Sequence, residues 1–358
     1  MPAKQSVCHS MNQSLLKKSL LSALTISSLS LFSAFSYANT ELTPSELAAQ
    51  GLEAGKNYAG LHSLCNVDKP LAFAGMRNKT GKKRTLTDEE RKRRSAKAVI
   101  EPTQVFDNLY FVGNRKVASW AVTTSEGIIL IDAMNSNNQA ENVIVAGLKK
   151  LGLNPNDIKY LVIAHAHGDH YGGQDYLVNH FHPRVIMSNE DWTELEKPVQ
   201  EIDNPRWGKK PVRDISANDG YVLTLGDTSM ELYVTPGHTL GTLSMLIPLK
   251  DGNETHWAAL WGGTGLNFGP NEPRIRQYSA SAERIKEIGE KKGVDVFLSN
   301  HPTRDNSIQR IALLNERTAG QPHPFVDENA LDAFELLRDC SLAHAVKLHN
   351  TLNKSASK

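Results

Sequence analysis

The sequence predicts an α/β fold, a four-layer αββα sandwich in one catalytic domain with an N-terminal extension. Two observations carry this. The chain from Thr103 onward holds two β-rich halves, and each half closes with a helix followed by a strand. Two sheets packed face to face with helices outside satisfy that order.

The 358 residues suffice for one large core or two medium ones. Taken in order, Lys17 and Lys18 precede an apolar, small-residue run from Leu20 to Phe35, and Ser36-Tyr37-Ala38 offers small residues at both cleavage subsites. This reads as a signal peptide over residues 1–38, cut after Ala38, and implies a periplasmic or secreted protein without stable membrane insertion. Residues 39–102 form the extension. Thr43-Pro44-Ser45-Glu46-Leu47 reads as a helix start, and Pro70-Leu71-Ala72-Phe73 can pack on the main body. Between Arg77 and Lys97 stand Lys79, Lys82, Lys83, Arg84, Arg91, Lys92, Arg93 and Arg94. Such a run is a solvated loop and short helix, or a contact for a polyanion.

The catalytic domain is expected over 103–358. Val105 to Gly113 reads as one strand, 117–124 as a second and 127–132 as a third, in a β-meander. Val143, Val145 and Leu148 fall at helical spacing in 138–151, which ends before Gly152. Next come a strand at 160–164, a helix from Gly173 to about His180 and a short strand at 185–187. Residues 188–214 carry Trp192, Pro198, Pro205 and Trp207; this insertion reads equally as a lid or as a packed excursion. Strands follow at 221–225, 230–235, 243–248 and 255–261, a helix at 281–292, a strand at 294–298 and a C-terminal helix at 331–352.

A formal net charge of +1 gives no overall reason to expect a nucleic-acid partner, and no obligate protein partner is inferred. Cys8, Cys65 and Cys340 are too few for a cysteine metal cluster. Once the leader is removed, an oxidising compartment allows a Cys65–Cys340 disulfide without implying it.

The chemistry lies in three turns, each at the C-terminal end of an apolar strand. His165-Ala166-His167-Gly168-Asp169-His170 follows Tyr160–Ala164, Pro236-Gly237-His238 ends another strand, and Asn300-His301 a third. Imidazole and carboxylate donors suit Zn(II). In a strand-like turn His165 and His167 point the same way and await a third imidazole, His238. Asp169 and His170 point elsewhere and can form a second site with His301. Each site keeps an open position, as catalytic zinc requires. Asp132, closing an apolar strand, is either a hydrogen-bond partner of a ligand histidine or a turn cap.

His-x-His-x-Asp-His followed by Gly-Gly, then Pro-Gly-His-Thr, then a strand ending in His resembles the metallo-β-lactamase superfamily, from about Thr103 to the C-terminus. Many members carry a bridging Asp or a ligand Cys on the strand after the Pro-Gly-His turn. Here that stretch is Leu260-Trp261-Gly262-Gly263-Thr264-Gly265, with neither. The remaining ligand set is most similar to that of subclass B3. The resemblance implies two Zn(II) ions per chain, a small-molecule β-lactam substrate, and attack on its amide by a metal-bound hydroxide that Asp169 orients. The alternative is another small ester, lactone or amide. Where B3 enzymes commonly hold the substrate carboxylate with serines, this chain has Gly263 and Gly265, leaving Thr264 and Asn267 as the nearby substrate contacts.

Overall fold

A computed structural model describes residues 42–73, 87, 89, 98–204, 207–318 and 320–356. The leader expected over 1–38 and nearly all of the basic run 77–97 lie outside the described residues.

The chain opens with helix α1 (Pro44–Ala54), started by a capping box in which the Thr43 hydroxyl accepts from Glu46 N and the Glu46 carboxylate accepts from Thr43 N. A seven-stranded sheet follows, in the order β1 (Thr103–Phe106), β2 (Leu109–Phe111), β3 (Trp120–Thr124), β4 (Gly127–Ile131), β5 (Ile158–Val162), β6 (Arg184–Ser188) and β7 (Ile215–Ala217). The first four strands are antiparallel to their neighbours, and β4 to β7 run parallel. The second sheet has the order β12 (Val296–Ser299), β11 (Glu254–Trp261), β10 (Leu243–Asp251), β9 (Thr228–Val234) and β8 (Tyr221–Leu225).

Side-chain alternation builds the layers. On β4, Ile129 and Ile131 meet Leu232, Met245 and Leu260 of the second sheet in the central core. Ile128 and Leu130 point the other way. There they pack against helix α2, a continuous run of Asn137–Gln139, the π-helical Ala140–Val145 and Ala146–Lys150. The same outer layer holds α3 (Gly168–Tyr171), α4 (Gln174–Phe181) and α5 (Asn189–Glu196). The far face of the second sheet is covered by α1, α6 (Glu272–Lys292) and α8 (Asp332–Ala356). Helix α7 (Ser307–Glu316) packs Ile311 into the central core. The order of layers is α, β, β, α, as the sequence predicts.

Four local features differ from the sequence reading or add to it. The strand expected over 105–113 is a hairpin, because Asp107 and Asn108 leave it to bind the β10–β11 ribbon: Asp107 N donates to Lys250 O and Asn108 Nδ2 to Pro248 O. The helix expected at 281 begins at Glu272, where the Asn271 side chain caps Arg274 N and Pro273 occupies the first turn. The insertion 188–214 contains α5, capped by Ser188 Oγ accepting from Asp191 N. Helix α7 has no counterpart among the elements read from sequence; its N-cap Asn306 is left-handed, with φ 60°.

Residues 44–71 are stitched into the outer layer. Leu47 and Ala48 are buried with Leu336, Leu337 and Ala343, and Cys65 is disulfide-bonded to Cys340. Residue 51 is glycine because a Cβ there would lie 2.6 Å from Cys340 Sγ. Of the 70–73 stretch, Phe73 pairs with Phe268 in an isolated bridge.

Candidate metal centre

The three histidine turns meet at one edge of the sandwich, past the C-terminal ends of β5, β9 and β12. β4 and β5 are parallel and in register to Ile131↔Val162, so Asp132 emerges beside Ile163, just before the turn at His165. β11 and β12 end together at Trp261↔Ser299, bringing Gly262 beside Asn300 and His301. The sheets are tied here: Leu243 N donates to Ala164 O and Ala118 N to Asn300 O.

His165, His167 and His238 are 1%, 6% and 5% exposed and form a buried trio. His165 Nδ1 lies 2.7 Å from Gly262 O, and His238 Nδ1 lies 2.7 Å from Gly265 O. A carbonyl only accepts, so each Nδ1 carries the proton and each Nε2 presents a lone pair. Those two Nε2 atoms are 3.1 Å apart, and His238 Nε2 is 3.1 Å from His167 Nδ1. Burial first, and neighbouring imidazoles second, hold the His165 and His238 pKa values well below the ordinary histidine value. Burial lowers that of His167 to about 4. Three neutral nitrogens converging in this way repel one another unless a cation lies between them. Tetrahedral zinc with bonds of about 2.0–2.1 Å separates its nitrogens by roughly 3.3 Å. The donor set therefore fits a metal.

A second group joins His165, Asp169 and His170, whose donor atoms lie within 4.8 Å of one another. His170 Nδ1 is 2.7 Å from Asp132 Oδ2, so Asp132 orients this imidazole, the first of the two roles read from sequence. The opposite atom, His170 Nε2, is buried without a hydrogen-bond partner, 3.6 Å from Asp169 Oδ2. An orphaned imidazole nitrogen facing a carboxylate is what a metal-ligand position requires. Burial would lower the His170 pKa, but Asp132 and Asp169 outweigh it and raise it. Burial pushes Asp169 up, but His170, His301 and His167 hold it down at about 2. His301 stands beside this group, its ring 5.1 Å from that of His170 and its Nδ1 2.6 Å from Lys116 O. Its Nε2 is left for a ligand.

Of the residues expected to touch substrate, Thr264 is 2% exposed, whereas Asn267 lines a cleft together with Gly265. The two insertion tryptophans differ. Trp192 is fully buried and donates to Ile215 O, a packing role. Trp207 stacks 5.9 Å from the His167 ring and lies so close to Gly168 that a Cβ there would approach within 2.2 Å.

Three supporting residues escaped the sequence reading. Asp191, 1% exposed, accepts from Ala166 N, Thr239 Oγ1 and Gly241 N, which joins the His165–His167 turn to the turn after His238. Its spacing from Ser188 signals only a helix start. Arg274 donates to Gly237 O and His238 O, and pairs with Glu201 of the insertion. Asn300 Nδ2 donates to Gly262 O, the carbonyl that fixes His165.

The family model described as the metallo-β-lactamase superfamily matches residues 112–251. A solved subclass B3 metallo-β-lactamase of Bradyrhizobium japonicum superposes with a TM-score of 0.59 at 26% identity, covering 73% of this chain and 95% of that one. A native metallo-β-lactamase of Legionella gormanii gives 0.58 at 24% identity, covering 73% and 98%. Among curated relatives, a metallo-β-lactamase domain-containing protein of Xenopus laevis is 26% identical over 131 residues, 37% of this chain and 49% of its own. An N-acyl homoserine lactonase of Bacillus thuringiensis is 24% identical over 221 residues, 54% of this chain and 84% of its own. The chain thus spans about half the length of the first of these relatives.

Proposed function

We propose that this chain, which matches the metallo-β-lactamase superfamily model over residues 112–251 and has a fold most similar to subclass B3, is an exported, two-zinc hydrolase that opens the β-lactam amide. The observation that carries this reading is the donor set itself. Gly262 and Gly263 follow β11 where a bridging Asp or ligand Cys would stand, leaving three imidazoles on one side and Asp169 and His170 on the other, with the His301 ring 5.1 Å from that of His170. Gly263 is also required by packing, since a Cβ there would lie 2.5 Å from His238 Cβ.

Zinc bound there would supply a Lewis acid for the carbonyl and a water acidified toward neutral pKa. The chain's own residues do the rest. Gly262 O and Gly265 O lock His165 and His238 in the tautomer that keeps Nε2 free. Asp132 does the same for His170. Asp169 stays ionised at any physiological pH and can accept a proton in a hydrogen bond from the attacking water. Trp207 covers one side of His167 and limits solvent there. Export is supported by the leader-like sequence and by Cys65–Cys340, a bond that persists in oxidising compartments.

Hydrolysis of a lactone is the second reading, favoured by the likeness to the Bacillus lactonase. The two separate in one experiment. Purified protein is loaded with zinc, its metal counted, and assayed on a penicillin, a cephalosporin, a carbapenem and an acyl-homoserine lactone with and without chelator. Chelator-sensitive β-lactam turnover at about two zinc per chain is expected, and His238→Ala should lose at least about 100-fold in kcat/KM. Turnover of the lactone alone overturns the first reading.

A further inference from the structure

Gly265, whose carbonyl fixes His238, also lines a cleft of about 320 Å³, close to the smallest volumes typical of ligand pockets. Its walls come from the segment around the 62–65 helical turn, from Gly265 to Asn267, and from Arg304. Its charge is one-sided. Lys69 and Arg304 line it, Ser63, Asn66 and Asn267 add polar groups, and no carboxylate lines it among the described residues. The nearest acid in sequence, Asp68, is drawn away to Lys347.

The Arg304 guanidinium is anchored rather than loose. Its Nη1 donates to Gly60 O and Ser63 Oγ, which leaves the other edge of the fork for a ligand. A planar fork fixed on one side is prepared for a bidentate carboxylate. Among the described residues neither Arg304 nor Lys69 is paired with an acid. Asn267 contributes an amide whose Oδ1 is buried without a partner. A half-turn of that amide exchanges oxygen for NH₂ and presents a donor. Gly265 belongs to both places: its carbonyl accepts from His238 Nδ1, and its backbone lines the cleft.

We propose that this cleft is a carboxylate subsite, and that the hydrolase prefers substrates whose acid group reaches Arg304 and Lys69 while the scissile carbonyl faces the histidine cluster. The second half of this statement rests on the hydrolase reading; the binding of a carboxylate does not.

The test has two arms. In the first, zinc-loaded wild type, Lys69→Gln and Arg304→Gln are compared on two matched substrates, one bearing a free carboxylate and one its methyl ester. The carboxylate substrate should lose about 10-fold or more in kcat/KM through KM, with kcat, zinc content and ester turnover unchanged. Arg304→Gln also removes contacts to Gly60 and Ser63, so Lys69→Gln guards against a folding effect. Equal losses on both substrates in Lys69→Gln, or no loss in either variant, overturn the proposal. In the second arm, benzoate is titrated by NMR into the same three proteins. Affinity about 5-fold weaker in both variants supports the subsite even if no substrate is turned over, in which case only the hydrolase reading falls. Benzoate binding that is absent, or equal in all three proteins, overturns the subsite.

Discussion

Asp191 shows how much one buried carboxylate can organise. Its two oxygens accept from Ala166 N, Thr239 Oγ1 and Gly241 N, so it holds the residue between two ligand histidines and the turn after the third. The contact is tight enough that residue 241 has no room for a side chain; a Cβ would lie 2.1 Å from Ser188 Oγ. Asn at position 191 keeps one accepting oxygen but turns an NH₂ toward a backbone N–H. We expect Asp191→Asn to bind its first metal about 10- to 100-fold more weakly, with altered d–d bands after Co(II) substitution. Asp132→Asn acts on the other group, through His170 Nδ1, and should weaken the second metal and leave the first. Competitive chelator titration resolves the two steps, and weakening of both metals alike in Asp132→Asn would contradict the division of ligands.

At the scale of elements, the turn after β12 illustrates how a site is supported from below. Asp305 is fully buried, and its carboxylate accepts from Ser299 N at the end of the strand and from Ser307 N at the start of α7. Burial raises its pKa to about 6. A folded-state pKa above the unfolded one means that the folded protein takes up this proton first. The stabilisation is complete below the unfolded value near 4 and disappears as pH rises through about 6. Relative to Asp305→Asn, wild-type stability in urea should therefore rise by about 2–3 kcal/mol as pH falls from about 7 to 4, with chelator present in both. A flat difference curve would contradict the assignment. Neither this carboxylate nor α7 was legible in the sequence, because Asn306 enters the helix from a left-handed conformation without a side-chain cap. The ligand turns were legible because histidines at the ends of apolar strands have no reason to stand there as core residues. Asp132 was legible for the same reason. Asp191 was not, since its partners come from two turns 25 and 48–50 residues away. The split of 105–113 into a hairpin likewise depends on Lys250 and Pro248, far along the chain.

At the scale of the whole molecule, the bond between Cys65 and Cys340 closes a loop of 275 residues around both sheets. Cys340 is fully buried on α8, and Cys65 ends the short helical turn that also walls the cationic cleft. The bond thus ties the segment before β1 to the last helix, where His344 Nε2 meets Leu64 O and Lys347 reaches Val67 O. Closing so long a loop restricts the unfolded chain by about 5.6 kcal/mol in the chain-entropy account, of which engineered and native bonds usually deliver about 2–4. Cys340→Ser should therefore lower unfolding stability by about 2–4 kcal/mol. The histidine turns, held by Asp132, Asp191 and Arg274, are expected to keep their zinc. The two effects separate by measurement. Urea unfolding reports the stability, zinc content reports the turns, and the KM of a carboxylate-bearing substrate reports the 62–73 wall. Loss of stability with zinc retained and KM raised is expected. Loss of zinc in the same variant would mean that the metal centre depends on the outer helical layer, contrary to the local network described.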